Sequence, residues 1–183
     1  VEKSLLLSAG ISESSLNTLV KNGVFEVFYR IVPRVDLSTG LADQFHELSN
    51  SQHAARRNIL EQFEQKQTVL LHGITGSGKT EIYIHLIREV LNQGEQVLFL
   101  MPEIALTTQI VSRLQRVFGD KMGVYHSRYS DNERVEVWKG LVQGRFPLIV
   151  GVRSSVFLPF NNLGLVIVDE EHEFSYKQFD RAP

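Results

Sequence analysis

The sequence contains no cysteine among its 183 residues. This absence excludes a disulfide framework and any thiolate zinc site within this span. It fits a reducing, intracellular setting by default, and we expect a cytoplasmic protein. Histidine does not replace cysteine as a metal ligand, because the six histidines show no paired spacing of the kind that metal sites use.

The sequence also lacks a strong excess of charge of one sign and any long apolar run. The formal net charge is −2, so the overall charge of the chain does not indicate a nucleic-acid partner. Residues 113–145 hold seven basic side chains against four acidic ones, which fits a local basic face or a solvated helix surface equally well. No segment approaches the length of a membrane span and no signal peptide is visible, so we expect no membrane partner.

The length and the 43% hydrophobic content allow one good core and a small appended piece. Residues 1–34 predict two short helices and a strand at Val24 to Val32, which suits either the end of a winged-helix module or an irregular N-terminal arm. Residues 35–47 read as a linker, and residues 48–183 as the compact domain. Neither Val1 nor Pro183 looks like a natural chain end, so we expect an excised fragment.

The compact domain contains a phosphate-loop pattern, GxxxxGK[ST], at residues 73–80. An apolar segment at Thr68 to His72 predicts a strand before it, and Glu81 to Leu91 predicts a helix after it. Glycines let the backbone wrap around a polyphosphate, whose charge Lys79 complements, while the Thr80 hydroxyl can bind magnesium. A chance glycine-rich turn is the alternative, which this context disfavours. The nucleotide-contacting residues are therefore predicted to be Gly73, Thr75, Gly76, Ser77, Gly78, Lys79 and Thr80.

The rest of the domain alternates between helices and apolar strands. Helices are predicted at residues 51–65, 104–118 and 130–142, and further strands at residues 96–101, 124–126, 147–152 and 165–168. Near-continuous apolar strands separated by helices indicate an α/β fold in three layers, with a parallel sheet covered on both faces. Such sheets bind their ligands at the carboxyl ends of the strands.

The strand at residues 165–168 delivers Asp169 and Glu170 at its carboxyl end. Asp169 can hold a magnesium ion that arrives with the nucleotide, and Glu170 can orient or deprotonate an attacking water. The alternative is a plain acidic loop, since residues 169–173 are a charged run. Because a phosphate loop is predicted on the same kind of sheet, we favour the interpretation of Asp169 and Glu170 as a catalytic pair.

Together these motifs resemble the primosomal protein N′ (PriA) family of replication-restart DNA helicases. The resemblance rests on GSGKTE at 76–81, MPEIALT at 101–107, HS at 126–127, IVGVRS at 149–154, DEEH at 169–172 and SYKQ at 175–178, and it extends from about Leu48 to the end. It implies a RecA-like first lobe of an ATP-dependent helicase that moves 3′ to 5′ on single-stranded DNA. Residues 1–32 resemble, less specifically, the winged-helix segment of that family.

The resemblance also assigns roles to individual residues. Gln52 falls where such helicases read adenine, although it could be an exposed amide early in a helix. Val152 and Thr108 depart from the usual residues, which weakens the transfer to the DNA-contacting loops. His126 could instead be a half-buried strand-end histidine, and the aromatic residues after the acidic run could anchor a loop. The residues predicted to contact DNA or couple it to ATP are Pro102, Glu103, Thr107, His126, Ser127, Arg153, Ser154, His172, Tyr176 and Phe179.

The partners that the family implies are single-stranded and forked DNA, other primosome proteins and single-strand-binding protein. The family's arginine finger and its zinc-binding cysteines belong to parts that this sequence does not include, so zinc is not expected here and ATP with Mg²⁺ is. Two other functions stay open. One is a different P-loop enzyme such as a kinase, and the other is a non-catalytic docking module that responds to nucleotide.

Overall fold

The structure is a computed structural model that describes residues 6, 10–25, 46–74, 76–103, 105–106, 108–126 and 129–177. The chain divides into two units, Val1–Asp36 and Leu37–Pro183. No helix among these residues is long and apolar enough to cross a membrane.

The first unit contains one described helix, α1 (Glu13–Lys21). Ser12 caps it by accepting a hydrogen bond from the Ser15 backbone N–H at 3.2 Å, and Asn22 follows as the C-cap residue. Leu16 is its buried side chain. Most of the predicted strand at Val24 to Val32 lies outside the described residues, so the winged-helix assignment stays a prediction.

The second unit alternates between helices and strands. Its elements are α2 (Asn50–Phe63), α3 (Lys79–Asn92), β1 (Gln96–Leu100), α4 (Thr108–Phe118), β2 (Met122–Tyr125), α5 (Asp131–Val142), β3 (Leu148–Gly151) and β4 (Leu163–Val168). The four strands form a parallel sheet in the order β2-β3-β1-β4. A capping box opens α5, where the Ser130 hydroxyl accepts from the Glu133 N–H and the Glu133 carboxylate accepts from the Ser130 N–H.

Helices cover both faces of this sheet because β1 and β3 are apolar on both sides and fully buried. On one face, Ile84 and Ile87 of α3 and Leu114 of α4 pack against Phe99 and its neighbours. On the other face, Leu141 of α5 belongs to a separate buried cluster with Leu98, Leu100 and Ile149. The predicted three-layer α/β architecture is therefore confirmed. The helix α2 packs through Ile59 on the outer side of α3.

Two predicted elements differ from the structure. Thr68 to His72 forms no strand, since it has no ladder partner among the described residues; together with β4 it lines a groove of about 1250 Å³. The helix α4 begins at Thr108 and not at residue 104, since the chain first makes a turn in which the Ala105 N–H donates to the Pro102 carbonyl at 2.9 Å.

Candidate active site

The described candidate residues gather where the strands end. Asp169 and Glu170 follow β4, Pro102 and Glu103 follow β1, His126 follows β2, and Arg153 and Ser154 lie in a 3-10 turn after β3. In a parallel sheet all these carboxyl ends meet at one edge. Thr75, Thr107, Ser127 and Phe179 lie outside the described residues.

The phosphate loop depends on two glycines in the left-handed region. Gly76 has φ +79° and Gly78 has φ +84°, conformations that other residues adopt only with strain. Gly78 caps α3, so the free amides of the first helical turn face the space where a phosphate would bind. The Lys79 ammonium folds back onto the loop and donates to the Gly73 carbonyl at 2.5 Å.

Gln52 touches the phosphate loop directly. Its side-chain amide donates from Nε2 to the Gly78 carbonyl at 3.2 Å, and its Oε1 accepts from the Ser49 N–H at 2.8 Å. The second bond belongs to a capping box that opens α2, with Ser49 accepting from the Gln52 N–H in return. Both ends of the amide are therefore used inside the lobe, and the adenine-reading role of Gln52 stays a prediction.

Asp169 and Glu170 leave β4 in a tight turn. The Asp169 N–H donates to the Leu100 carbonyl at 3.0 Å, which continues the ladder to β1. Glu170 then adopts φ 50°, the only positive φ of a non-glycine residue in the part of the chain described. Such a conformation costs on the order of 1–3 kcal/mol and is commonly kept for function. The Glu170 carboxylate lies 3.7 Å from His172 Nε2.

The electrostatics of Asp169 join the two halves of the site. Burial, and secondly the neighbouring Glu170 charge, raise the pKa of Asp169 above its ordinary value. The hydrogen bond from Tyr83 and the Lys79 ammonium partly offset this increase. Lys79 and Asp169 are thus close enough to act on one another although 90 residues separate them in the sequence.

Two tyrosines hold Asp169 from different sides. The Tyr83 hydroxyl donates to Asp169 Oδ1 at 3.3 Å, and the Tyr176 hydroxyl donates to the Asp169 carbonyl at 2.9 Å. Burial first, and then the acidic neighbours, raise the pKa of each hydroxyl, so both remain proton donors. Sequence reasoning missed Tyr83 as a site residue because it lies on the apolar face of α3. Its position three residues after Thr80 was the available signal.

The donor set suits a magnesium ion bound together with a nucleotide. Mg²⁺ prefers hard oxygen ligands and takes few from the protein. The Thr80 hydroxyl and the Asp169 carboxylate are such ligands, and a half-buried carboxylate with a raised pKa gains from a nearby cation. Among the described residues no group of three or more His, Asp or Glu side chains could hold a metal ion without the nucleotide.

The residues predicted to contact DNA differ in exposure. Glu103, Arg153 and Ser154 are exposed, whereas Pro102 is fully buried and His126 is half-buried with its ring 6.1 Å from that of Tyr129. Tyr176 faces inwards and packs beside the Leu98 cluster. The DNA roles of these residues stay predictions.

Phe174 is the exposed aromatic residue of the turn after the acidic run. It is 67% exposed, and the Lys177 ammonium lies 5.3 Å from its ring centroid. The sequence shows an aromatic cluster here but does not indicate which ring faces solvent.

Comparison with known proteins agrees with the motifs. Residues 49–182 match the model of the DEAD/DEAH box helicase family. The chain is 39% identical over 180 residues to the replication restart protein PriA of Synechocystis sp., covering 98% of this chain and 22% of that protein. It is 41% identical to PriA of Chlamydia trachomatis, covering 98% and 24%, and 40% identical to PriA of Bacillus subtilis, covering 91% and 21%.

The chain therefore spans less than a quarter of the length of these three relatives. The resemblance to replication-restart helicases that the motifs indicated is confirmed, and the match of the family model covers well over half of the chain. This chain belongs to the DEAD/DEAH box helicase family.

Proposed function

We propose that this chain is the first, ATP-binding motor lobe of an ATP-dependent DNA helicase that moves 3′ to 5′ and acts in replication restart at stalled forks in the cytoplasm. One observation carries the proposal: Gly73 and Lys79 of the phosphate loop line the same groove as Asp169 and Glu170, and the Lys79 ammonium is near enough to Asp169 to offset part of the rise in its pKa. The similarity to PriA proteins supports the choice of DNA as the substrate of the motor.

Each site residue then has a defined task. The amides of Gly73 to Gly78 surround the phosphates, Lys79 neutralises the charge on their β and γ groups, and Gln52 reads adenine after releasing the Gly78 carbonyl. Thr80 and Asp169 would hold Mg²⁺, which would supply positive charge against the negative charge that develops on the phosphates.

Glu170 is the group that acts on water. In the reaction a water oxygen bonds to the γ-phosphorus and the bond from that phosphorus to the β–γ bridging oxygen breaks, which yields ADP and phosphate. The proton released by the water passes to the Glu170 carboxylate. The left-handed backbone of Glu170 turns the chain sharply after Asp169, and His172 Nε2 lies 3.7 Å from its carboxylate.

The DNA path would run along the strand ends that carry Pro102, Glu103, Thr107, His126, Ser127, Arg153 and Ser154. The segment with His172, Tyr176 and Phe179 would report DNA binding to Glu170, because it continues directly from the acidic turn. In this proposal the partners are single-stranded and forked DNA, primosome proteins and single-strand-binding protein.

The test uses full-length protein that contains this lobe. We expect Glu170→Gln to lower the DNA-stimulated ATPase rate by a factor on the order of 10² or more while Mg-ATP affinity stays near wild type, because Glu170 acts mainly on the attacking water. Lys79→Ala should lower both the ATPase rate and the affinity for Mg-ATP, since Lys79 contacts the phosphates before and during the reaction.

Glu171→Gln is the matched control, because the same change falls on an exposed neighbour. Equal loss of affinity in Glu170→Gln and Lys79→Ala would show that the roles are misassigned. ATP turnover that single-stranded DNA does not stimulate in wild-type protein would favour another P-loop enzyme, and an absence of turnover would favour a docking module.

A further inference from the structure

We infer that Tyr83 is a positioning residue for the magnesium site: its hydroxyl holds the Asp169 carboxylate in the orientation that the ion requires. The inference rests on the proposed function, in which Asp169 binds the magnesium of Mg-ATP. It adds a residue that lies outside the phosphate-loop and DEEH motifs.

The geometry of Tyr83 is fixed from both ends of its side chain. The residue is 8% exposed, and its ring meets that of Phe99 edge-on, with centroids 5.6 Å apart and planes at 70°. Its hydroxyl reaches Asp169 Oδ1 at 3.3 Å. Since Phe99 lies in the fully buried strand β1, the ring has little freedom, and the hydroxyl is held near one carboxylate oxygen.

Packing alone does not explain a tyrosine at this place. A phenylalanine would fill almost the same volume and keep the contact with Phe99. The hydroxyl instead adds a donor beside a half-buried carboxylate that also faces the charge of Glu170. By bonding to Oδ1 it stabilises one orientation of the carboxylate and leaves Oδ2 for a cation.

The helix α3 connects this contact to the other predicted magnesium ligand. It begins at Lys79, carries the Thr80 hydroxyl in its first turn and presents Tyr83 one turn later. The same rigid element therefore places one magnesium ligand and the residue that orients the other. Mg²⁺ tolerates little departure from octahedral geometry, and residues that orient metal ligands commonly change metal affinity by about 10- to 100-fold when removed.

The experiment measures nucleotide affinity in full-length protein and does not depend on turnover. Binding of a fluorescent ADP analogue is titrated with excess Mg²⁺ and with EDTA, and the ratio of the two affinities gives the gain from magnesium. We expect Tyr83→Phe to leave the EDTA value unchanged and to reduce the gain by about tenfold, the low end for such residues because the contact is long. Mn²⁺ binding to the ADP complex, followed by electron paramagnetic resonance, should weaken in parallel.

Two further variants make the result decisive. Tyr125→Phe removes a hydroxyl from β2, which β3 and β1 separate from β4, and should keep the wild-type gain. Asp169→Asn should lose most of the gain. If Asp169→Asn loses it and Tyr83→Phe does not, the role of Tyr83 is wrong while the magnesium site stands.

The remaining outcomes also decide the question. If Asp169→Asn keeps the full gain, the magnesium assignment in the proposed function is wrong, and the inference about Tyr83 falls with it. Equal losses in Tyr83→Phe and Tyr125→Phe would show a general loosening of the lobe and would likewise overturn the inference.

Discussion

The two halves of the site are built in different ways. The phosphate loop is a local structure, in which successive residues supply left-handed glycines, a helix start and a lysine that folds back on the loop. The carboxylate half depends on side chains from distant elements, since Asp169 is held by Tyr83 of α3 and by Tyr176 after the acidic turn. A change of backbone shape should therefore break the first half, and loss of a single side-chain atom the second.

The largest effect is expected from Gly78→Ala. An added Cβ would lie 2.4 Å from the Gln52 amide nitrogen, so the Gln52 side chain must move and lose its bond to the Gly78 carbonyl, and φ +84° is strained for alanine at the start of α3. We expect the affinity for Mg-ATP to fall by a factor on the order of 10² or more, equivalent to about 3 kcal/mol. Equilibrium binding of a fluorescent nucleotide would measure it.

Gly94→Ala is the matched control for that prediction. Gly94 has φ +78° but nothing within 4 Å of an added Cβ, so it reports backbone strain without a clash and far from the loop. It should lower stability by about 1 kcal/mol and leave nucleotide affinity unchanged. Similar affinities in the two variants would contradict the idea that the loop is intolerant of shape changes.

An intermediate effect should separate Phe174 from Tyr176. Phe174 is exposed and can stack on an unpaired base, a contact worth about 1–3 kcal/mol, so Phe174→Ala should weaken binding of single-stranded DNA about 5- to 150-fold. Tyr176 points inwards, so Tyr176→Phe should leave DNA affinity near wild type and reduce the stimulation of the ATPase by DNA. Fluorescence anisotropy with labelled DNA and a coupled ATPase assay, both on full-length protein, would check these expectations.

The opposite pattern would reverse the two assignments. If Tyr176→Phe weakened DNA binding while Phe174→Ala did not, the inward tyrosine would be the stacking residue. A fall in the basal rate of Tyr176→Phe with intact stimulation by DNA would make Tyr176 an anchor only.

The smallest effect concerns stability. Because its pKa is raised in the folded state, Asp169 favours folding when protonated, and this contribution is lost as pH rises through the folded pKa. The ionised carboxylate therefore destabilises the nucleotide-free lobe at neutral pH, and Asp169→Asn should raise its melting temperature by about 1–3 °C at pH 7. The difference should vanish below about pH 4, where aspartate is protonated in both states. Calorimetric scans at both pH values would show it, and a gain that persists in acid would point to another cause.

The sequence predicted the backbone around the phosphate loop and left Tyr83 out of the site. The left-handed glycines and the helix after them depend on neighbouring residues, so the sequence pattern was sufficient for this backbone, while the roles of its side chains stay predictions. The sequence pattern placed Tyr83 on an apolar face. Helical periodicity cannot distinguish a ring that only packs from a ring whose hydroxyl also forms a hydrogen bond. Only the packing of α3 against β1 and β4 brings that hydroxyl to Asp169.

One error in the fold has a simple cause. Thr68 to His72 has strand-like composition, yet a strand also needs a neighbour to bond with, and composition says nothing about that neighbour. The adenine-reading role of Gln52 stays a prediction, and the structure adds that its side chain completes a capping box with Ser49, three residues before it.

The edge strand β4 has a consequence for handling the protein. It pairs only with β1 among the described residues, its residues Leu163–Val168 include no charge and no proline, and Val166 and Val168 are 47% and 42% exposed. Edge strands of natural proteins usually carry a charged residue or a proline, because an open apolar edge acts as a template for pairing with other chains. Thr68 to His72 lines the same groove as β4 but forms no ladder with it. In concentrated solution this lobe should therefore associate edge to edge through β4, and one lysine at an exposed position of β4 would be the simplest way to prevent it.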